Sequence, residues 1–190
     1  MGIKIKIERD EDAENPRGNR YGTVFLAWHK RDSIGDPKPS RRFEHPESEF
    51  PTRDELLAAL REELGSITEL PVFMHDHGSQ SFSTGGFSDR WDSGQLGWIF
   101  AVPTSTPDRW EGTTPEQIAD VLRAEIAEYH AWANGEIYAY RLVDDDGETL
   151  EAGSGYYSED ECREAANEAL GERLAAEASD DAACRQVMAL

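Results

Sequence analysis

The chain has 190 residues, 39 of them acidic and 19 basic, for a formal net charge of −20. Such a field repels phosphate backbones and attracts basic protein surfaces, so a protein partner with a basic surface is expected and direct nucleic-acid binding is not. No apolar run reaches the roughly 18–20 residues that cross a bilayer, and the opening "MGIKIKIERDEDAE" has no apolar signal core, so a cytoplasmic chain that does not engage membranes is expected.

The length suits a single α+β domain over residues 1–190, with 17–51 largely loop and 158–190 an acidic helical region. Cys162 and Cys184 are the only cysteines, too few for a disulfide framework or a thiolate zinc site, and are read as reduced. Charge is unevenly placed. Between 17 and 42, Arg17, Arg20, Lys30, Arg31, Lys38, Arg41 and Arg42 meet only Asp32 and Asp36, whereas acids dominate from Asp144 onward. These two regions suit each other either within one molecule or across a homo-oligomer. Lysine occurs only at 4, 6, 30 and 38, and an acidic, lysine-poor surface also suits solvation in high salt.

"GIKIKIE" alternates Ile3, Ile5 and Ile7 with polar residues, the period of a half-buried strand. "YGTVFLAWH" follows a polar loop as a second strand, expected to pair antiparallel with the first. After a proline-rich loop, Thr52 and Glu55 have capping-box spacing ahead of a helix with Leu56, Leu57, Leu60 and Leu64 on one side, stopped by Gly65. "LPVFMH" is a strand, and the wholly apolar "LGWIFAV" is another, buried on both faces. Thr114, Pro115 and Gln117 open a long helix with Ile118, Val121, Leu122, Ile126, Tyr129 and Trp132 along one side, ended by Asn134 and Gly135. "EIYAYRLVDDDGETLEAG" reads as a hairpin with Asp146-Gly147 at its tip, and Ser158 and Glu161 cap an alanine-rich helix. This order lacks the alternation of a doubly wound sheet, so the expected fold is α+β: a largely antiparallel sheet with about three helices packed on one side.

Between the two apolar strands lies "HDHGSQSFSTGGFSDRWDSGQLG", residues 75–97, read as one long connection. His75 and His77, at i and i+2 of an extended segment, point to one face; with Asp89 and Asp92 they form the one candidate divalent-metal set. Trp98 and Phe100 are core candidates. Trp91, between charged neighbours, is expected to lie clamped over the loop with its N–H on a carbonyl. Asp76 and His77 are expected to form a hydrogen-bonded pair. No G-x-S-x-G, phosphate loop or dinucleotide fingerprint is present, so no catalytic residue is assigned and no cofactor is expected.

The run from Pro71 to Leu142 resembles a family of small uncharacterised proteins encoded by phages, plasmids and other mobile elements. Its members read tyrosine-aspartate-histidine-serine-glycine, then proline-phenylalanine, then tryptophan-aspartate-serine-glycine-glutamine, a helix, and a glycine-aspartate-valine-tyrosine strand. The likeness falls on Asp76, His77, Phe87, Trp91, Asp92, Ser93, Gly94, Gln95, Gly97, Gly135 and Tyr138. His75 stands where the family has tyrosine, the cysteine or proline before the tryptophan is missing, and "GSGYY" replaces a cysteine-tryptophan-glycine run. The resemblance implies a mobile-element setting and a shared loop scaffold of Asp76, His77, Trp91, Asp92, Ser93 and Gln95, not a reaction.

The expectation is a non-enzymatic mobile-element accessory protein that binds another protein, with Glu161, Glu164, Glu168 and Glu172 as a DNA-mimicking acidic face directed at a host defence or DNA-binding protein. A second reading is a small metal-dependent hydrolase using the His/Asp set of residues 75–97. A third is a structural domain whose acidity only solvates it.

Overall fold

The computed structural model describes residues 2–18, 22–27, 34–44, 49–89, 91–103 and 107–188, with the side chains of 107 and 180–188 excepted. Arg20, Lys30, Arg31, Asp32 and the Cys184 thiol lie outside the described set. The elements run β1 (Lys4–Arg9), β2 (Thr23–Ala27), α1 (Arg53–Leu64), β3 (Thr68–Asp76), β4 (Gln80–Ser83), β5 (Ser93–Ala101), α2 (Pro115–Ala133), β6 (Tyr138–Val143), β7 (Thr149–Tyr156) and α3 (Glu159–Met188). The class is α+β, every strand pairing is antiparallel, and among the described residues no helix is long and apolar enough to cross a membrane. The strands divide between two sheets rather than one, in two compact units: Met1–Ala13 with Gly135–Leu190, and Glu14–Asn134.

The first unit is a three-stranded sheet, β1-β6-β7, with α3 on one face. Ile5 pairs with Leu142 and Ile7 with Tyr140, so alternation in β1 places its isoleucines beside a core of Tyr140, Leu142, Cys162, Ala166 and Ala169. The β6–β7 turn is closed by Asp144, whose Oδ1 accepts from the amides of Asp146 at 3.0 Å and Glu148 at 2.9 Å; Gly147 takes the positive φ of 87° that the turn needs. Ser158 caps α3, its hydroxyl accepting from Glu161 N at 3.2 Å.

Expected as one antiparallel pair, β1 and β2 lie in different sheets: β1 pairs with β6, and β2 with β5. Their patterns explain it. β1 alternates and suits a sheet covered on one face, whereas β2 carries Val24, Phe25, Leu26 and Ala27 in succession and needs cover on both. The Asp10 amide donates to Ile137 O at 2.8 Å, so the chain leaves and re-enters the first unit at adjacent points.

The second unit has that cover. Its sheet, in the order β2-β5-β3-β4, packs Phe25, Ala27, Val72, Phe82, Ile99 and Ala101 against Ile118, Leu122, Ile126 and Tyr129 of α2. The opposite face packs Leu26, Trp98 and Phe100 against Leu56, Ala59 and Leu60 of α1. These two helices therefore take opposite faces and do not share one, because β5 is apolar on both sides. Capping boxes at Thr52/Glu55 and Thr114/Gln117 and a left-handed Gly65 form as the sequence predicts. Gly97 is required where the end of β2 pairs with β5, since a Cβ there would stand 1.9 Å from Leu26 O.

One charged cluster sits inside this unit. Glu125, 2 % exposed, accepts from Arg17 Nη1 and Thr23 Oγ1, both at 2.6 Å, and from Arg109 Nη2 at 3.1 Å. Arg17 also grips Asp36 in a two-bond fork, at 3.0 and 2.5 Å, and Asp36 Oδ2 in turn accepts from Phe25 N at 2.8 Å. Burial opposes the Arg17 charge, but Asp36 and Glu125 outweigh it and hold the guanidinium's pKa above its usual value.

Glu125→Ala strips a buried guanidinium of a partner and is expected to lower stability by about 3–5 kcal/mol. Arg123→Ala on the same helix, which breaks an exposed pair with Asp120, is expected to cost no more than about 0.5 kcal/mol. Urea unfolding followed by tryptophan fluorescence checks both, since all five tryptophans lie within residues 14–134; equal costs would contradict the assigned role of Glu125. In the first unit, Cys162 is fully buried and desolvation pushes its thiol pKa up. In a Cys184→Ser background a thiol reagent is expected to label Cys162 in urea but not in native buffer, and prompt native labelling would contradict that burial.

Candidate functional site

The stretch 75–97 is not one connection. "QSFS" forms β4, which pairs with the end of β3 so that Met74 faces Phe82 and His75 faces Ser81. The serine-phenylalanine-serine alternation carries the strand signal, with Phe82 inserted in the core. What remains is a tight turn at 77–79 and a shorter crossing from Thr84 to Asp92. Because β5 starts at Ser93 opposite His75, that crossing returns to the end of β3 from which the hairpin departed.

The return is fixed by hydrogen bonds. The Asp76 amide donates to Asp92 O at 2.9 Å, and His77 Nδ1 lies 2.9 Å from Asp92 Oδ2. Asp89 Oδ1 accepts from Trp91 N at 2.9 Å, forming an aspartate turn, and the Ser93 hydroxyl donates to Asp89 O. Gln95 Nε2 reaches Gly97 O at 3.3 Å. Phe87 packs beside His75, with ring centroids 5.6 Å apart. His77 is thus paired with Asp92, fifteen residues away, and not with Asp76: the β3–β5 ladder brings Asp92 to the end of β3, and the chain turning away there at His77 sets the imidazole against its carboxylate.

His75 and His77 do share a face, with ring centroids 6.1 Å apart. Each faces its own carboxylate, His77 with Asp92 and His75 Nε2 with Asp89 Oδ2 at 3.7 Å. Among the described residues no three His, Cys, Asp or Glu side chains gather into a metal-binding group. The arrangement is two separate imidazole–carboxylate pairs that tie a loop.

Trp91 departs furthest from expectation. Its indole is not clamped on the loop; it is 95 % exposed, while Trp98 is in the core. Its backbone amide, not its ring, is the group that the loop holds. The sequence signal was its position between charged residues, which marks a turn tip but not the ring's direction.

Of the basic residues between 17 and 42, Arg20, Lys30 and Arg31 lie outside the described set, Arg41 and Arg42 are exposed, and three of those described have partners within the chain. Arg17 is buried in the Glu125 cluster, Lys38 donates to Ala27 O, and Arg42 lies over the Phe50 ring with its guanidinium carbon 5.0 Å from the centroid. Arg17 and Glu125 were missed as partners. The available sign was Glu125 itself, a charged residue on the apolar stripe of Leu122, Ile126 and Tyr129.

No protein-family model, curated protein or solved structure was found to match the chain.

The Trp91 N–H holds the Asp89 carboxyl below the usual aspartate range; desolvation opposes this, and the nearby His75 and His77 reinforce the lowering. A folded pKa below the unfolded one means that this bond contributes order above the unfolded value and loses it as pH falls through the lowered one. The amide proton shift of Trp91 is therefore expected to move on acidification in the wild type. In Asp89→Asn, whose amide oxygen accepts the same bond without titrating, it should stay in place; identical titration in both would contradict the assignment.

Proposed function

We propose that the protein is a non-enzymatic accessory protein of a mobile element that acts by binding another protein, its acidic carboxy-terminal helix engaging a basic surface of a host defence or DNA-binding protein. The observation that carries this reading is the row Glu161, Glu164, Glu168 and Glu172 on α3. All four are exposed, and among the described residues none is in an ion pair. At 100° per residue they fall within about 80° of arc and run about 16 Å along the helix. Two other exposed acids on the same helix are paired, Glu159 with Arg163 and Glu177 with Arg173.

Like charges at i, i+4 destabilise a helix by about 0.2–0.5 kcal/mol per pair, so Glu164–Glu168 and Glu168–Glu172 oppose folding. A cationic partner relieves that repulsion. The mobile-element setting is supported by the likeness of the residues between Pro71 and Leu142 to proteins of such elements.

Binding of this kind depends steeply on salt, because the screening length falls from about 10 Å at 0.1 M to about 3 Å at 1 M. Wild type is expected to capture partners from host lysate at low salt and to release them at high salt. The variant with Glu161, Glu164, Glu168 and Glu172 all changed to lysine is expected to fold, by circular dichroism, and to capture none of them. Equal capture by both proteins, or capture by neither, would leave the row a solvated face.

A further inference from the structure

Tryptophan is highly buried on average in folded chains, and an indole 95 % exposed on a loop fixed by hydrogen bonds is the most unusual surface feature of the described residues. Its backbone is held on both sides: Asp89 Oδ1 takes the Trp91 amide, Asp92 O takes the Asp76 amide, and Asp92 Oδ2 is paired with His77. A ring presented on a fixed turn loses little further backbone freedom on binding, which is the condition for an anchor residue.

The charge around it selects the occupant. Residues 75–97 contain Asp76, Asp89 and Asp92 against Arg90, which lies outside the described set, in a chain of net charge −20. Asp89 Oδ2 lies 3.7 Å from His75 Nε2 in an ion pair, but the Asp89 side chain is 47 % exposed and a carboxylate oxygen accepts more than one bond, so it has room for a further donor. An indole face attracts cations, and the guanidinium is the cation that both stacks flat on a ring and donates in a fork to a carboxylate. We propose that Trp91 and Asp89 form an anchor site for an arginine side chain presented by the partner protein. The inference rests on the protein-binding reading and deepens it, by naming the residue type taken and a second contact point independent of α3.

The probes are synthetic peptides: an arginine–glycine alternating twelve-residue peptide, its lysine and glutamate counterparts, and a single-stranded oligonucleotide of similar length. Affinities are measured by calorimetry for wild type, Trp91→Ala, Trp91→Phe, Asp89→Asn and the four-lysine α3 variant. Trp91 lies at the surface, and circular dichroism verifies that its variants fold. The arginine peptide is expected to bind wild type and to lose about 10- to 30-fold with Trp91→Ala. Trp91→Phe should retain part of the affinity, Asp89→Asn should lower it, and the lysine peptide should bind more weakly than the arginine one.

The α3 variant should bind more weakly in absolute terms and still show the same Trp91 dependence. Equal affinity of wild type and Trp91→Ala would overturn the anchor while leaving the α3 reading intact. Failure of wild type to bind the arginine peptide, or Trp91-dependent binding of the glutamate peptide or the oligonucleotide, would also overturn it. The lysate and salt experiment decides the α3 reading separately.

Discussion

The carboxylate of Glu125 is the constraint on which the larger unit depends. A charge removed from water has to be matched by donors, and three segments distant in the chain supply them: Arg17 from the turn after Asn15, Thr23 from β2, and Arg109 from the turn before α2. Arg17 extends the constraint outward, because its fork fixes Asp36 and Asp36 holds the Phe25 amide, while the Asp36 amide itself donates to Phe25 O at 2.7 Å. One side chain of α2 therefore ties β2 to Arg17 before it and to Asp36 after it. Apolar packing against α2 alone would not do this, since hydrophobic contact is non-directional.

From β2 the order passes across the sheet to the loop. β2 lies on β5 so closely that Gly97 has no room for a side chain, and β5 in turn sets the position of β3. The register shifts between Val72 and Phe73. Leu96 and Ile99, three residues apart, consequently both face the α2 side, which strict alternation forbids; the bulge absorbs the extra residue and re-aims the beginning of β5. Beyond it, Ser93 meets His75, which brings Asp92 within reach of His77 and closes the loop. The position of Trp91 is thus inherited from a ladder that begins at a buried glutamate.

Local signals were legible in the sequence, and long-range partners were not. Thr52/Glu55, Thr114/Gln117 and Ser158 act on neighbours three residues away, and Asp144 to Gly147 close a turn on themselves, so composition and spacing suffice to read them. The isoleucine alternation of β1 revealed a buried face but not which strand would pair with it, because period two is the same in any antiparallel sheet. β4 was hidden since only Phe82 of its four residues is apolar. The pairing of His77 with Asp92 needed the β3–β5 register, and the burial of Arg17 needed Glu125, both invisible to local pattern. Of the candidate loop, the residues were readable and their connections were not.

The acids of this chain fall into two kinds, and the difference bears on function. Glu125, Asp36 and Asp144 are consumed by structure, each accepting several hydrogen bonds, whereas the α3 row is exposed and its members repel one another. Amphipathicity alone explains why those glutamates face outward, since Cys162, Ala166 and Ala169 occupy the other side of the helix. It does not explain why none of the four described glutamates is in an ion pair, when Arg163 and Arg173 beside them pair with Glu159 and Glu177 instead. Solvation is a still poorer account of Trp91, because an exposed indole lowers solubility and does not raise it. Row and indole each impose a cost on the isolated chain, one electrostatic and one hydrophobic. A cation lessens the first by neutralisation, and a flat cation lessens the second by covering the ring. The basic, arginine-bearing protein surface proposed above is a single class of partner that would relieve both.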